Sequence, residues 1–181
     1  MADVSLYWFR DDLRLTDLPG LAAAAQAGPV IPVFVRDPGL GDAWRIGSAS
    51  QWWLHHSLLS LRTSLVEQGT ELILRSGETV ATLTALAAQT GATTVYCSRH
   101  YQPWSAQLET MLRGRLSDKG VELKRYPGTL LHEPEDVATG GGTPFKVFTP
   151  FWRACNRRPD PHQPAPISEL TPYNGPIESE E

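Results

Sequence analysis

An α/β fold is predicted, with a mostly parallel five-stranded sheet covered by helices on both faces. Five short β-rich runs alternate with helical segments, so each strand-to-strand passage needs a crossover. The first two runs read as buried strands, which a sheet covered on both sides contains. Length and composition agree, because 181 residues with 41% hydrophobic and 20% charged residues suffice for one core.

Residues 4–9 form the first strand. Asp17 and Pro19 then cap and open a helix over 21–26, which Gly28 stops. Residues 30–35 are a second buried strand, to which Pro32 is a mild objection because it cannot donate to a ladder. A loop over 36–46 follows. Ser48 or Ser50 caps a long helix that runs to Gln68 and is closed by Gly69. The third strand is 71–74, with a helix over 78–89 after it that ends at Gly91. Residues 93–97 are the fourth strand, 99–104 a loop, 105–118 a helix ending near Gly120, and 121–125 the fifth strand.

After Tyr126 the alternation ends. Gly140, Gly141 and Gly142 make a turn, 145–148 is a short extended piece, and Thr149 with Pro150 starts a helix reaching about 157. Six prolines and the acidic end Glu178, Glu180 and Glu181 make 159–181 an extended linker. The chain therefore divides into an α/β domain over 1–130, a connecting segment over 131–158 that packs on it, and a Pro-rich tail over 159–181.

The net charge of -4 excludes a chain that binds nucleic acid through its overall charge. Cys97 and Cys155 lie far apart with no metal-ligand spacing, and Cys97 ends an apolar strand, so it reads as a buried structural thiol. No basic leader precedes an apolar stretch and no apolar run has membrane-spanning length, so a cytoplasmic location is expected.

The turn after the first strand is dense with charge: Arg10, Asp11, Asp12, Arg14 and Asp17. As structure, these make surface ion pairs and helix caps. As function, they sit at the carboxyl end of a strand, where open α/β sheets place ligands. No glycine-rich phosphate loop follows any strand, which argues against a dinucleotide pyrophosphate.

The segment "WFRDDLRLTDLPGL" resembles the N-terminal signature of the DNA photolyase/cryptochrome family. "RIGSASQWWLHHSLLSLRTSL", "VYCSRHYQPW" and "GGTPFKVFTPFWRAC" are similar to three further blocks in the family's order. The resemblance implies a Rossmann-like N-terminal domain that carries a light-harvesting pigment. In the family a helical domain follows, which binds FAD, docks damaged DNA and performs electron transfer. Deoxyribodipyrimidine photolyases repair cyclobutane pyrimidine dimers with blue light, a carbon–carbon lyase reaction. The FAD-binding segments would lie beyond Glu181, so the chain alone is expected to be inactive in repair and to end within the interdomain linker.

In the family the loops after strands one, two and four form a cleft. The equivalents offer Phe9, Trp44, Trp52, Tyr101 and Trp104 for stacking, and Arg10, Arg45 and Arg99 for anionic groups. Asp11, Arg14 and Ser105 complete the candidate set. A planar, acid-tailed pigment needs that mixture, and methenyltetrahydrofolate is the first choice. 8-Hydroxy-5-deazaflavin, FMN or an empty cleft are the alternatives, because the family's pigment codes are not met cleanly. Ser105 stands where folate-using members supply a glutamate, with Glu109 a turn later, and His100 and Gln102 stand where deazaflavin users place acids. Leu18 replaces the usual asparagine after Asp17.

Trp52, Trp53, Leu54, Leu58, Leu61 and Leu65 fall on helical spacing, which predicts a core role for Trp53. Of His55 and His56, one is expected buried and one solvated, neither a metal ligand. Phe145 and Val147 are expected to pack on the sheet. Without the helical domain as partner, Phe148, Phe151 and Trp152 are exposed and drive self-association. Two other classes compete with a photolyase antenna domain: the same domain of a signalling cryptochrome, and a stand-alone nucleotide-binding α/β module.

Overall fold

The computed structural model describes residues 3–39, 46–159 and 169–180. Five parallel strands lie in the order β3-β2-β1-β4-β5, formed by β1 (Ser5–Phe9), β2 (Val30–Arg36), β3 (Ile73–Ser76), β4 (Thr94–Ser98) and β5 (Glu122–Tyr126). The connecting helices are α1 (Pro19–Ala27), α2 (Ser48–Glu67), α3 (Thr79–Thr90) and α4 (Pro103–Ser117). The predicted α/β architecture is present, each element within a few residues of its expected place.

β1 occupies the middle of the sheet and all five of its residues are buried. Its side chains alternate between two cores. Leu6 and Trp8 join Val80 and Leu83 of α3 and Leu108, Leu112 and Leu116 of α4. Tyr7 and Phe9 join Leu18, Leu21 of α1 and Leu61, Leu65 of α2. The two clusters are the two covered faces of one sheet. Pro32 is tolerated because the β2–β3 ladder begins only at Val33↔Ile73, one residue beyond it.

Several local expectations are corrected. Asp17 does not cap α1; it takes a left-handed φ of 56°, and Leu18 is the cap residue, buried in the core. Gly47, not a serine, precedes α2, whereas Glu78 does cap α3 by accepting from the N–H groups of Val80 and Ala81. Trp53 is 69% exposed and Trp52 62%, and the buried residues of α2, Leu61 and Leu65, lie in its carboxyl-terminal half. His55 and His56 are both exposed.

The connecting segment forms α5 (Phe148–Cys155), with Val147 as cap residue; Thr149 and Pro150 lie inside its first turn. No residue of α5 is buried, and Val147 is exposed rather than packed on the sheet.

The tail is extended but attached. Thr171 accepts the Val30 N–H at 3.0 Å, and Pro172 bridges Val30 in parallel. Leu170 is buried in the core beside α1 and α2, and Tyr173 and Ile177 pack against the opposite cluster. Farther on, Ser179 Oγ accepts from the Leu74 N–H at 2.9 Å, and the Glu180 N–H donates to Leu74 O at 3.0 Å. These bonds occupy the outer edge of β3, which as an edge strand would otherwise present unpaired backbone groups. Composition alone reads as a loose linker, because the partners that fix it lie about a hundred residues away in sequence.

Candidate functional site

At the carboxyl ends of β1 and β4 the chain leaves the sheet in two adjacent loops, and the segment after β5 returns beside them. Arg99 N–H donates to Tyr126 O at 2.8 Å and Thr129 Oγ1 donates to Arg99 O at 3.3 Å, tying β4's loop to that returning segment. Between them lies a cavity of about 370 Å3 lined by Asp11, His100, Tyr101, Gln102, Thr129 and Leu130. Its size is at the lower end for a small-molecule pocket. Its surface is mostly hydrocarbon.

His100 forms the inner wall. Its side chain is only 6% exposed, and its Nε2 stands 3.2 Å from Asp11 Oδ2. Neither ring nitrogen has a hydrogen bond. Burial pushes its pKa below the ordinary 6.5, and the nearby Arg10 charge acts in the same direction, so the ring is neutral at pH 7. Gln102, the residue before α4, does not cap that helix with its side chain. Instead its Nε2 donates to Asp11 Oδ2 at 3.2 Å, leaving its buried Oε1 without a partner. Unmet buried polar groups are costly, and here they fall on two residues that line the cavity.

Tyr101 supplies the aromatic rim, with 39% of its surface exposed. Its hydroxyl donates to Glu133, and Arg99 Nη1 donates to the same Glu133 carboxylate at 2.9 Å. Burial and that carboxylate push the Tyr101 pKa up to about 12, so it stays a neutral donor. Arg99 also reaches Glu135 at 3.4 Å.

Beneath the cavity lies a buried polar cluster. Arg10 Nη1 donates to Glu109 Oε1 at 2.8 Å and Nη2 to the Ser98 carbonyl, with the guanidinium 4.5 Å from the centre of the Trp8 ring. Arg125 closes on the other Glu109 oxygen, and Ser105 Oγ donates to Glu109 Oε1 at 3.3 Å. Asp12, also buried, accepts from Ser98 and from the Arg10 N–H at 3.2 Å. Cys97, wholly buried nearby, has its thiol pushed up to about 12 by burial, so it is structural and unreactive.

Of the predicted site residues, the cavity brings together Asp11 and Tyr101. Trp104 stands behind it, half-buried, its ring meeting His100 edge-on at 6.1 Å. Phe9 has no exposed surface and packs edge-on against Tyr7 at 4.7 Å, inside the core. Arg10 and Ser105 lie below, in the buried cluster, so neither edges the slot. Arg14 is spent on three backbone carbonyls, those of Thr16, Asp17 and Gly128, the last at 2.6 Å. Trp52 lies on exposed α2 against His56 at 4.3 Å, outside the cavity lining. Trp44 and Arg45 lie outside the described residues. Sequence reasoning left out Thr129, Leu130 and Glu133, whose position directly after the fifth strand was the available signal. It noted His100 and Gln102 only as departures from a pattern.

Among the described residues no helix is long and apolar enough to cross a membrane, and no group of three or more His, Cys, Asp or Glu could hold a metal ion.

The family model for DNA photolyase matches residues 5–169. A deoxyribodipyrimidine photo-lyase of Agrobacterium fabrum is 44% identical over 92% of this chain and 34% of its own length. Cryptochrome-1 of Arabidopsis thaliana is 40% identical over 88% of this chain and 24% of its own. Among solved structures, a class III photolyase from Agrobacterium tumefaciens superposes with a TM-score of 0.91 at 41% identity, covering 100% of this chain and 37% of that one. An archaeal photolyase from Sulfolobus tokodaii, described as holding two FAD molecules and implying a novel light-harvesting cofactor, gives 0.81 at 25% identity over 92% of this chain and 37% of its own. The chain thus spans about a third or less of the length of these relatives.

Proposed function

The chain belongs to the DNA photolyase family, and on that premise we propose that it is the pigment-holding α/β domain of a deoxyribodipyrimidine photolyase. The observation that carries this reading is the cavity at the carboxyl ends of β1 and β4, with the buried imidazole of His100 in its wall. A flat ring fits a small hydrocarbon-lined slot between Tyr101 and Leu130, with His100 and Gln102 in the wall beside it. The Sulfolobus protein, described as implying a novel light-harvesting cofactor, supports a second chromophore in a relative of this chain.

A bound pigment supplies absorption of blue or near-ultraviolet light and transfer of that excitation to a flavin held elsewhere in the protein. The residues of this chain do the holding. Tyr101 and Leu130 flank the ring, the Arg99–Glu133–Tyr101 bonds fix the rim, and the buried Arg10–Glu109–Arg125 cluster fixes the loops underneath. Rigid placement sets distance and angle, and closing the slot excludes water. No covalent step falls to these residues. Dimer splitting belongs to the helical FAD-binding domain, which also meets the DNA. The candidates for the pigment are methenyltetrahydrofolate, 8-hydroxy-5-deazaflavin and FMN.

The aromatic face of α5, where Phe148 stacks on Trp152 at 6.1 Å and 13°, contacts that helical domain in the whole protein. In this chain alone it is the surface for self-association. A repair domain and a signalling cryptochrome share this α/β unit, and the repair reading rests on the photo-lyase relative's higher identity. The test is an absorption spectrum of the purified chain after incubation with each pigment. A retained band to the red of the protein's own aromatic absorption supports the reading, and no retained band with any of the three overturns it.

A further inference from the structure

We propose that this cavity holds its ligand against a neutral His100 and lets it go when that ring takes a proton, so that pigment occupancy is coupled to pH. The coupling rests on the pigment-site reading and adds a control to it.

The geometry makes a charge on this ring costly. The His100 side chain is 6% exposed and forms part of the cavity lining. Its Nδ1 has no hydrogen-bond partner, so a ring protonated on both nitrogens would bury an N–H without an acceptor. α4 starts beside the same wall, with Gln102 as a cap residue that supplies no side-chain cap, and the positive end of a helix opposes a second positive charge there.

Among the described residues, the charged groups acting on the ring are Arg10, Asp11, Asp12 and Glu109. Arg10 repels an imidazolium. Asp12 and Glu109 attract it but are already engaged, Asp12 by Ser98 and Glu109 by Arg10 and Arg125. Asp11 attracts it from 3.2 Å, yet that carboxylate is 70% exposed, so solvent weakens the pull. Burial and Arg10 therefore hold the pKa below 6.5 even in the empty cavity. A flat ligand laid against the wall removes more water from the ring and disfavours its charged form further. By linkage the ligand binds the neutral form more tightly, and its affinity falls as pH drops through the folded pKa.

Methenyltetrahydrofolate and 8-hydroxy-5-deazaflavin are the probes, titrated into the purified chain and into His100→Gln, with circular dichroism checking the fold at each pH. Between about pH 7.5 and about pH 5, binding to the parent chain should weaken at least about threefold more than binding to His100→Gln. Comparing the two chains removes any titration of the probe itself. NMR of the parent chain labelled at histidine supplies a readout that does not depend on the variant, whose spectrum identifies the His100 signal. Its titration midpoint should move to lower pH when a probe is bound. Equal loss of affinity in both chains, tighter binding at low pH, or an unmoved midpoint overturns the inference and leaves the pigment site standing. Binding of neither probe at about pH 7.5 overturns the site and the inference together.

Discussion

Arg10 Nη1 and Glu109 Oε1 meet at 2.8 Å with 5% and 3% of their side chains exposed, joining the end of β1 to the middle of α4 beneath the cavity. Breaking a buried pair from one side leaves the other charge uncompensated. Glu109→Ala is therefore expected to lower stability by about 3–5 kcal/mol, and would strand both Arg10 and Arg125. Urea denaturation checks this. Burial alone would raise the Glu109 pKa, but hydrogen bonds and charge from Arg10 and Arg125 bring it below the ordinary 4.5. A carboxylate depressed in the folded state contributes stability above its unfolded pKa and loses it as pH falls through the folded value. Glu109→Gln should remove that part of the acid sensitivity below pH 4.5.

His100 titrates in a different window. Its folded pKa lies below 6.5 because of burial and Arg10, so the unfolded chain binds more protons between the two values. Stability should fall as pH drops below 6.5. The groups facing the ring are Asp11, which partly offsets the effect, and Arg10, Asp12 and Glu109 below it. In His100→Gln the urea midpoint should change less between about pH 7.5 and about pH 5.5 than in the parent chain. An identical pH slope in both would show that His100 does not carry it.

The attached tail predicts a stability effect far from the site. Leu170, 4% exposed, fills a place in the core beside α1 and α2. Leu170→Ala should cost about 2–4 kcal/mol. A cost near zero by urea denaturation would mean that the tail is not attached in solution.

The α5 face predicts an oligomer. Phe148 and Trp152 are 70% and 53% exposed and stacked on each other, a patch that water disfavours. The parent chain should sediment with increasing mass as its concentration rises, and Phe148→Asp should restore a monomer. A monomer at all concentrations contradicts this.

The strands and crossovers were legible because each element announces itself locally, as apolar runs bounded by glycine, proline or a cap. The site was only half legible. Arg10 and Asp11 are neighbours in one charged run, yet Arg10 turns inward to an acid 99 residues away while Asp11 turns out to the cavity mouth. Nothing in the run distinguishes them; the distant Glu109 does. Trp53 shows the opposite failure, since helical spacing marks a stripe but does not say which turns of the helix are covered. The motif blocks that carry the family resemblance include the loops beside the cavity, and the long-range pairs decide which of their side chains face it.

Pigment binding can be assigned to this cavity by filling it. Leu130 is 44% exposed and lines the slot, so Leu130→Trp should occupy the space with little effect on the fold. Equilibrium binding of 8-hydroxy-5-deazaflavin and methenyltetrahydrofolate should be measurable with the parent chain for at least one of the two. It should weaken at least about tenfold in Leu130→Trp, the loss expected when a ring's contact surface is denied. Retention of full affinity in that variant would place the pigment elsewhere on the domain and contradict the assignment.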